Sequence, residues 1–104
     1  MDLTVLAVSG CPNVPVLEQR LAEALSGRPG VTVARRVIAD AAEAARQGMH
    51  GSPTLLVNGQ DPFAAPGAVP AVACRMYPGE NGRMEGAPTV DALRRVLDQA
   101  SAQG

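Results

Sequence analysis

At 104 residues with a formal net charge of -1, the chain has room for one compact domain and none for a second catalytic lobe. Nine arginines, no lysine and ten acids are scattered apart from the doublets Arg35-Arg36 and Arg94-Arg95, so there is no basic face for nucleic acid. Asp2 stands where a signal peptide needs positive charge and the apolar run after it is short, which leads us to expect a soluble, cytoplasmic protein with no membrane partner.

In chain order, Leu3 to Val8 is a continuous apolar run, the pattern of a central parallel strand covered on both faces. From Val14 the period changes to that of a helix, with Val14, Leu17, Leu21, Ala24 and Leu25 on one stripe, Pro12 or Pro15 in the first turn and Ser26-Gly27 at the end. Val31, Val33, Arg35 and Val37 alternate, which predicts a second strand nearer an edge. Asp40 with Glu43 is a capping-box pattern for a short alanine-rich helix ending at Gly48. Thr54 to Val57 reads as a third strand stopped by Asn58-Gly59. Residues 60 to 70 form a long loop, Val72 to Tyr77 a fourth strand, and Asn81-Gly82 a hairpin signal leading to Arg83-Met84-Glu85. Thr89 caps a last helix with the stripe Val90, Leu93, Val96, Leu97 and Ala100.

Two stretches carry the chemistry. Ser9-Gly10-Cys11-Pro12 closes the first strand ahead of a helix, and Gly51-Ser52-Pro53-Thr54 enters the third strand. With this order of elements the chain resembles the thioredoxin-like superfamily over residues 2 to 59 and 87 to 100, with 60 to 86 as an insertion. The resemblance implies an α/β three-layer sandwich: one central mixed four-stranded sheet, with a short extra hairpin strand, flanked by three helices in a single domain spanning 1 to 104. It also implies that Pro53 is cis and lies against Cys11, and that Ser52 presents its backbone to an extended thiol substrate, with Pro12 and Thr54 beside it. The second cysteine of the two-thiol motif is replaced by Val14, so the chain is closer to monothiol glutaredoxin-like proteins. The run from Gly51 to Gly59, with Asp61-Pro62-Phe63 and Cys74-Arg75, is also similar to small bacterial thioredoxin-like proteins labelled alkylmercury lyase.

Thiolate is the reactive form of cysteine, and a helix N-terminus stabilises it, so Cys11 is expected to be an acidified nucleophile; the alternative is a buried, inert cysteine. Alternation places Val72, Cys74 and Met76 on one face, which reads as core. Antiparallel pairing with the third strand would instead bring Cys74 opposite Leu55 or Leu56, within reach of Cys11. His50 at the rim either moves a proton or is solvated. Arg75 either pairs with a substrate carboxylate or solubilises the sheet. Phe63 or Tyr77 packs the long loop down, and Asp61 is a turn residue before Pro62. One histidine and two distant cysteines do not make a zinc site, and no cofactor is expected.

Three functions compete. The leading expectation is a thiol-disulfide oxidoreductase in which Cys11 attacks and Cys74 or a low-molecular-weight thiol resolves, acting on a thiol or disulfide substrate. The second is a redox-inactive binding module gripping a peptide in a groove between Cys11, Pro53 and the loop at 60 to 70. The third is organomercurial or metal-thiolate chemistry at the cysteines.

Overall fold

In the computed structural model, which describes residues 1 to 103, the first apolar run forms β1 (Asp2–Ala7). It lies between β2 (Thr32–Val37), which runs parallel to it, and β4 (Thr54–Val57), which runs antiparallel. The burial of β1 explains its central place, because its side chains are covered from both sides of the sheet. Leu3 and Val5 pack with Leu55 and Val57 against Leu17 and Leu21 of α1 (Val14–Ala24) and Leu93 and Leu97 of α3 (Val90–Gln103). On the opposite face Leu6 and Leu56 meet Ile38, Met49 and Ala44 of α2 (Ala41–Gln47). The result is a compact three-layer α/β domain, with two helices on one face of the sheet and one on the other. Each fully buried leucine contributes about 1.5 to 3 kcal/mol relative to exposure, so these two cores supply most of the hydrophobic driving force.

Local signals set the boundaries. Asp40 Oδ1 accepts the Glu43 N–H at 2.8 Å, and the Glu43 carboxylate reaches back to the Ala39 N–H at 2.8 Å, one residue beyond the usual box. Gly48 ends α2 with a left-handed φ of 85°. Thr89 Oγ1 accepts the Ala92 N–H at 3.1 Å and caps α3. Among the described residues no helix is long and apolar enough to cross a membrane.

The expected single four-stranded sheet is not what forms. The strands divide into the three-stranded sheet β2-β1-β4, a two-stranded pair of β3 (His50–Ser52) with β5 (Ala71–Cys74), and a two-stranded ribbon of β6 (Tyr77–Pro78) with β7 (Met84–Glu85). The fourth strand expected over 72 to 77 is shorter, starts at Ala71, and runs parallel to β3 rather than antiparallel to β4. The cause lies just before Pro53: His50 to Ser52 forms a short strand of its own, and β5 joins that edge, with Ala71 N–H donating to the Met49 carbonyl and Arg75 N–H to the Ser52 carbonyl, each at 3.1 Å. Gly51 makes the approach possible. At its φ of 114° a Cβ would sit 2.8 Å from Arg75 Cβ, so only glycine fits.

Candidate functional site

The Ser52–Pro53 peptide is cis, the form that the thioredoxin-like resemblance leads one to expect. Around it the structure gathers most of the residues singled out above. Ser52, Pro53 and Thr54 are buried. Ser52 Oγ accepts the Val8 N–H at 3.0 Å, tying the end of β1 to the proline bend. Thr54 Oγ1 donates to the Gly51 carbonyl at 2.6 Å and accepts from the His50 N–H at 3.1 Å and from Arg75 at 3.2 Å. Tyr77 donates its hydroxyl proton to the Pro53 carbonyl at 2.5 Å.

The centre of this network is Asp61, which sequence reasoning reads only as a turn residue. It does make a turn, accepting the Phe63 N–H at 2.9 Å. Its carboxylate, with only 3% of the side chain exposed, also takes Arg75 Nη1 at 2.6 Å and His50 Nδ1 at 2.8 Å. An ionised carboxylate can only accept, so His50 donates from Nδ1. Burial works to raise the Asp61 pKa. Hydrogen bonds from Arg75, His50 and the Phe63 N–H, with the charge of Arg75, outweigh it and hold the carboxyl below its ordinary value. Arg75 also lies 4.7 Å over the Tyr77 ring, whose phenol is pushed up by burial. Phe63 meets Tyr77 edge to face with centroids 5.6 Å apart, so both aromatics pack the loop down. A signal for this hub is present in the sequence: Asp61 and Arg75 are the opposite charges at the two ends of a stretch, Pro62 to Cys74, that contains no charge at all.

Arg75 and His50 are both committed to an internal carboxylate, Asp61. The expectation for β5 also inverts, since Val72, Cys74 and Met76 are exposed rather than core.

The redox expectation does not survive the geometry. Cys11 is 9% exposed and packs with Ala7 and Val14. It lies in a turn two residues before Asn13, the cap of α1, rather than at the helix start. Cys74 is an exposed free thiol in register with Ser52, not opposite Leu55 or Leu56, and no disulfide joins it to Cys11. Ser52, whose backbone would receive an extended substrate, already gives its carbonyl to the chain's own Arg75. Among the described residues no group of three or more His, Cys, Asp and Glu side chains is placed to hold a metal. There is thus no catalytic cysteine pair and no redox centre, which corrects the expected oxidoreductase, its disulfide chemistry and its thiol-resolving step. The same finding leaves the metal-thiolate alternative without a ligand set.

The surface beside this hub is concave. A cleft of about 520 Å³ is lined by the apolar Phe63, Tyr77, Pro78, Pro88 and Ala92 together with Glu80, Thr89, Asp91 and Arg95. Its wall is the same aromatic pair that the Asp61 network fixes. Compared with protein-family models, with curated proteins and with solved structures, the chain matches none.

Proposed function

We propose that the chain is a redox-inactive binding module of thioredoxin-like design, one domain in which residues 60 to 86 are an insertion that builds a cleft for an extended segment of a partner protein. Support for the family reading comes from the order strand, helix, strand, helix, strand and from the cis Pro53 at the head of β4. In this reading the family's fourth sheet strand has been redirected to the edge of β3.

The observation that carries the binding function is the cleft of about 520 Å³ between the loop and α3. Pockets for small ligands and anchoring side chains run from about 300 to 1,000 Å³, are mostly apolar, and hold a few fixed polar groups. Phe63, Tyr77, Pro78, Pro88 and Ala92 supply the apolar lining here, and Arg95, Glu80 and Asp91 supply one cation and two carboxylates. The lining is held in advance. Tyr77 is pinned by the Pro53 carbonyl and Arg75, and Phe63 by Asp61, so little ordering remains to oppose binding. The partner is held by noncovalent contact, with an apolar side chain in the cleft. Two free thiols, one of them exposed, fit a reducing compartment, and the proposal keeps the domain in the cytoplasm.

The test uses peptides selected from a random display library on the immobilised protein. Tyr77 is the sole tyrosine and tryptophan is absent, so tyrosine emission reports on the cleft wall alone. Selected peptides should change that emission on titration, keep their affinity for Cys11→Ala, and lose it for Ala92→Phe, which fills the cleft. Binding that disappears in Cys11→Ala and persists in Ala92→Phe would refute the proposal.

A further inference from the structure

Of residues 60 to 86, only Tyr77 is fully buried, at 2% exposure. The segment is tied to the rest of the chain mainly at polar points. The Ala71 and Arg75 N–H groups donate to the Met49 and Ser52 carbonyls beside and within β3, and the Arg75 guanidinium reaches Thr54. Tyr77 donates to the Pro53 carbonyl, and Glu85 meets Arg20 at 2.7 Å. Helix α2 also packs against β5, and Phe63 against the main core. A region with few buried apolar contacts and exposed backbone hydrogen bonds opens at a lower free energy than the core.

These fastenings share their members. Arg75 holds Ser52 through its N–H, holds Asp61 and Thr54 through its guanidinium, and covers the Tyr77 ring. Tyr77 meets Phe63 edge to face, and the Phe63 N–H is held by Asp61. Further along, the Gly79 N–H donates to the Arg83 carbonyl at 2.6 Å and closes the ribbon of β6 and β7. Contacts linked through common partners are worth more together than singly, so the loss of one weakens the rest. The cleft straddles the boundary of this segment. Phe63, Tyr77, Pro78, Gly79 and Glu80 form one side and belong to it, whereas Pro88, Thr89 and α3 form the other and do not.

We infer that residues 60 to 86 are a strap that opens and closes as one unit about the Asp61–Arg75 neck, and that the cleft exists only while the strap is closed. Opening parts β5 from β3, uncovers the Met49 and Ser52 carbonyls and takes the aromatic wall away from α3. A partner seated in the cleft, a step that rests on the function proposed above, binds the closed form alone and holds the strap shut. The open population in turn lowers the apparent affinity. Affinity is thereby adjustable at Asp61 and Arg75, neither of which lines the cleft.

Native-state hydrogen exchange, read at single amides by NMR, tests the strap without a ligand. The Ala71, Arg75 and Gly79 amides should share one opening constant, at least about tenfold larger than that of the β1 amides. Asp61→Asn keeps the shape of the side chain and removes its charge. It should raise the shared constant several-fold and speed acetylation of Tyr77, the sole tyrosine, by N-acetylimidazole to the same extent, with unchanged circular dichroism. Gly51→Ala, which drives a Cβ against Arg75 from the β3 side, should act in the same direction. A display-selected peptide whose binding Ala92→Phe abolishes should slow exchange at Ala71 and Arg75, outside the cleft, by about 100-fold at 100 times its Kd. Unequal opening constants for Ala71 and Gly79, a shared constant no larger than that of β1, or Tyr77 acetylation that Asp61→Asn leaves unchanged would overturn the inference. So would a cleft-bound peptide that leaves Ala71 and Arg75 unprotected. Failure to select any such peptide counts against the binding reading alone, because the exchange and acetylation measurements use the free protein.

Discussion

Residues 2 to 59 and residues 60 to 86 are held by different physics. The first region is an apolar construction in which Leu3, Val5, Leu17, Leu21 and Leu55 share one core and Leu6, Ile38 and Met49 another. The second contributes few buried apolar side chains and is fastened largely by polar contacts: Asp61 with Arg75, His50 and the Phe63 N–H around it, Tyr77 on the Pro53 carbonyl, and Glu85 on Arg20. The contrast shows how a small domain adds a binding surface. The sheet and helices set stability, and a polar knot then fixes a segment too exposed to bury itself.

That division can be broken from either side. Leu55→Ala, in the shared core, should cost about 4 kcal/mol and lower the urea midpoint for the whole molecule. Arg75→Met removes one partner of a buried pair and should cost about 3 kcal/mol, at the lower end because His50 still serves the carboxylate. Its signature is local: hydrogen exchange should accelerate over 60 to 86 before it does over β1 and β4. Equal loss of protection in both regions would show that the division is not real. Tyr77→Phe leaves the buried Pro53 carbonyl without its donor and should cost about 1 to 2 kcal/mol, with cleft binding weakened more than stability.

A smaller effect is expected with acid. The Asp61 carboxyl titrates lower in the folded chain than in the unfolded one, where a free aspartate sits at about 3.9. Its contribution is complete above that value and is lost as pH falls towards the folded value, because the unfolded chain takes up the proton first. Thermal melts of Asp61→Asn below pH 4 should therefore fall less steeply with acid than those of the wild type.

Much of the first region is legible in the sequence, because burial leaves periodic traces. The run at Leu3 to Val8, the stripe of Val14, Leu17 and Leu21, and the Asp40 cap each mark an element close to where it forms. Pro53 is legible too, since the residues around it carry the resemblance. The second region is not, because a polar knot leaves no period. Asp61, His50 and Arg75 are far apart in the chain, and each alone looks like an ordinary surface residue. Alternation in Val72, Cys74 and Met76 misleads for a related reason: β5 lies outside the three-stranded sheet, and these side chains stay exposed. Cys11 is legible as a position but not as an environment, since a cysteine before a helix is equally suited to reaction or to packing against Ala7 and Val14.

The central claim, that the domain binds without thiol chemistry, is tested most directly by which cysteine reacts. Iodoacetamide labelling of the native protein at neutral pH, followed by peptide mass mapping, separates Cys11 from Cys74. Cys74, the exposed thiol, should be modified first, with Cys11 modified only at a rate set by opening of the fold. Rapid labelling of Cys11 ahead of Cys74, faster than free cysteine, would contradict the account.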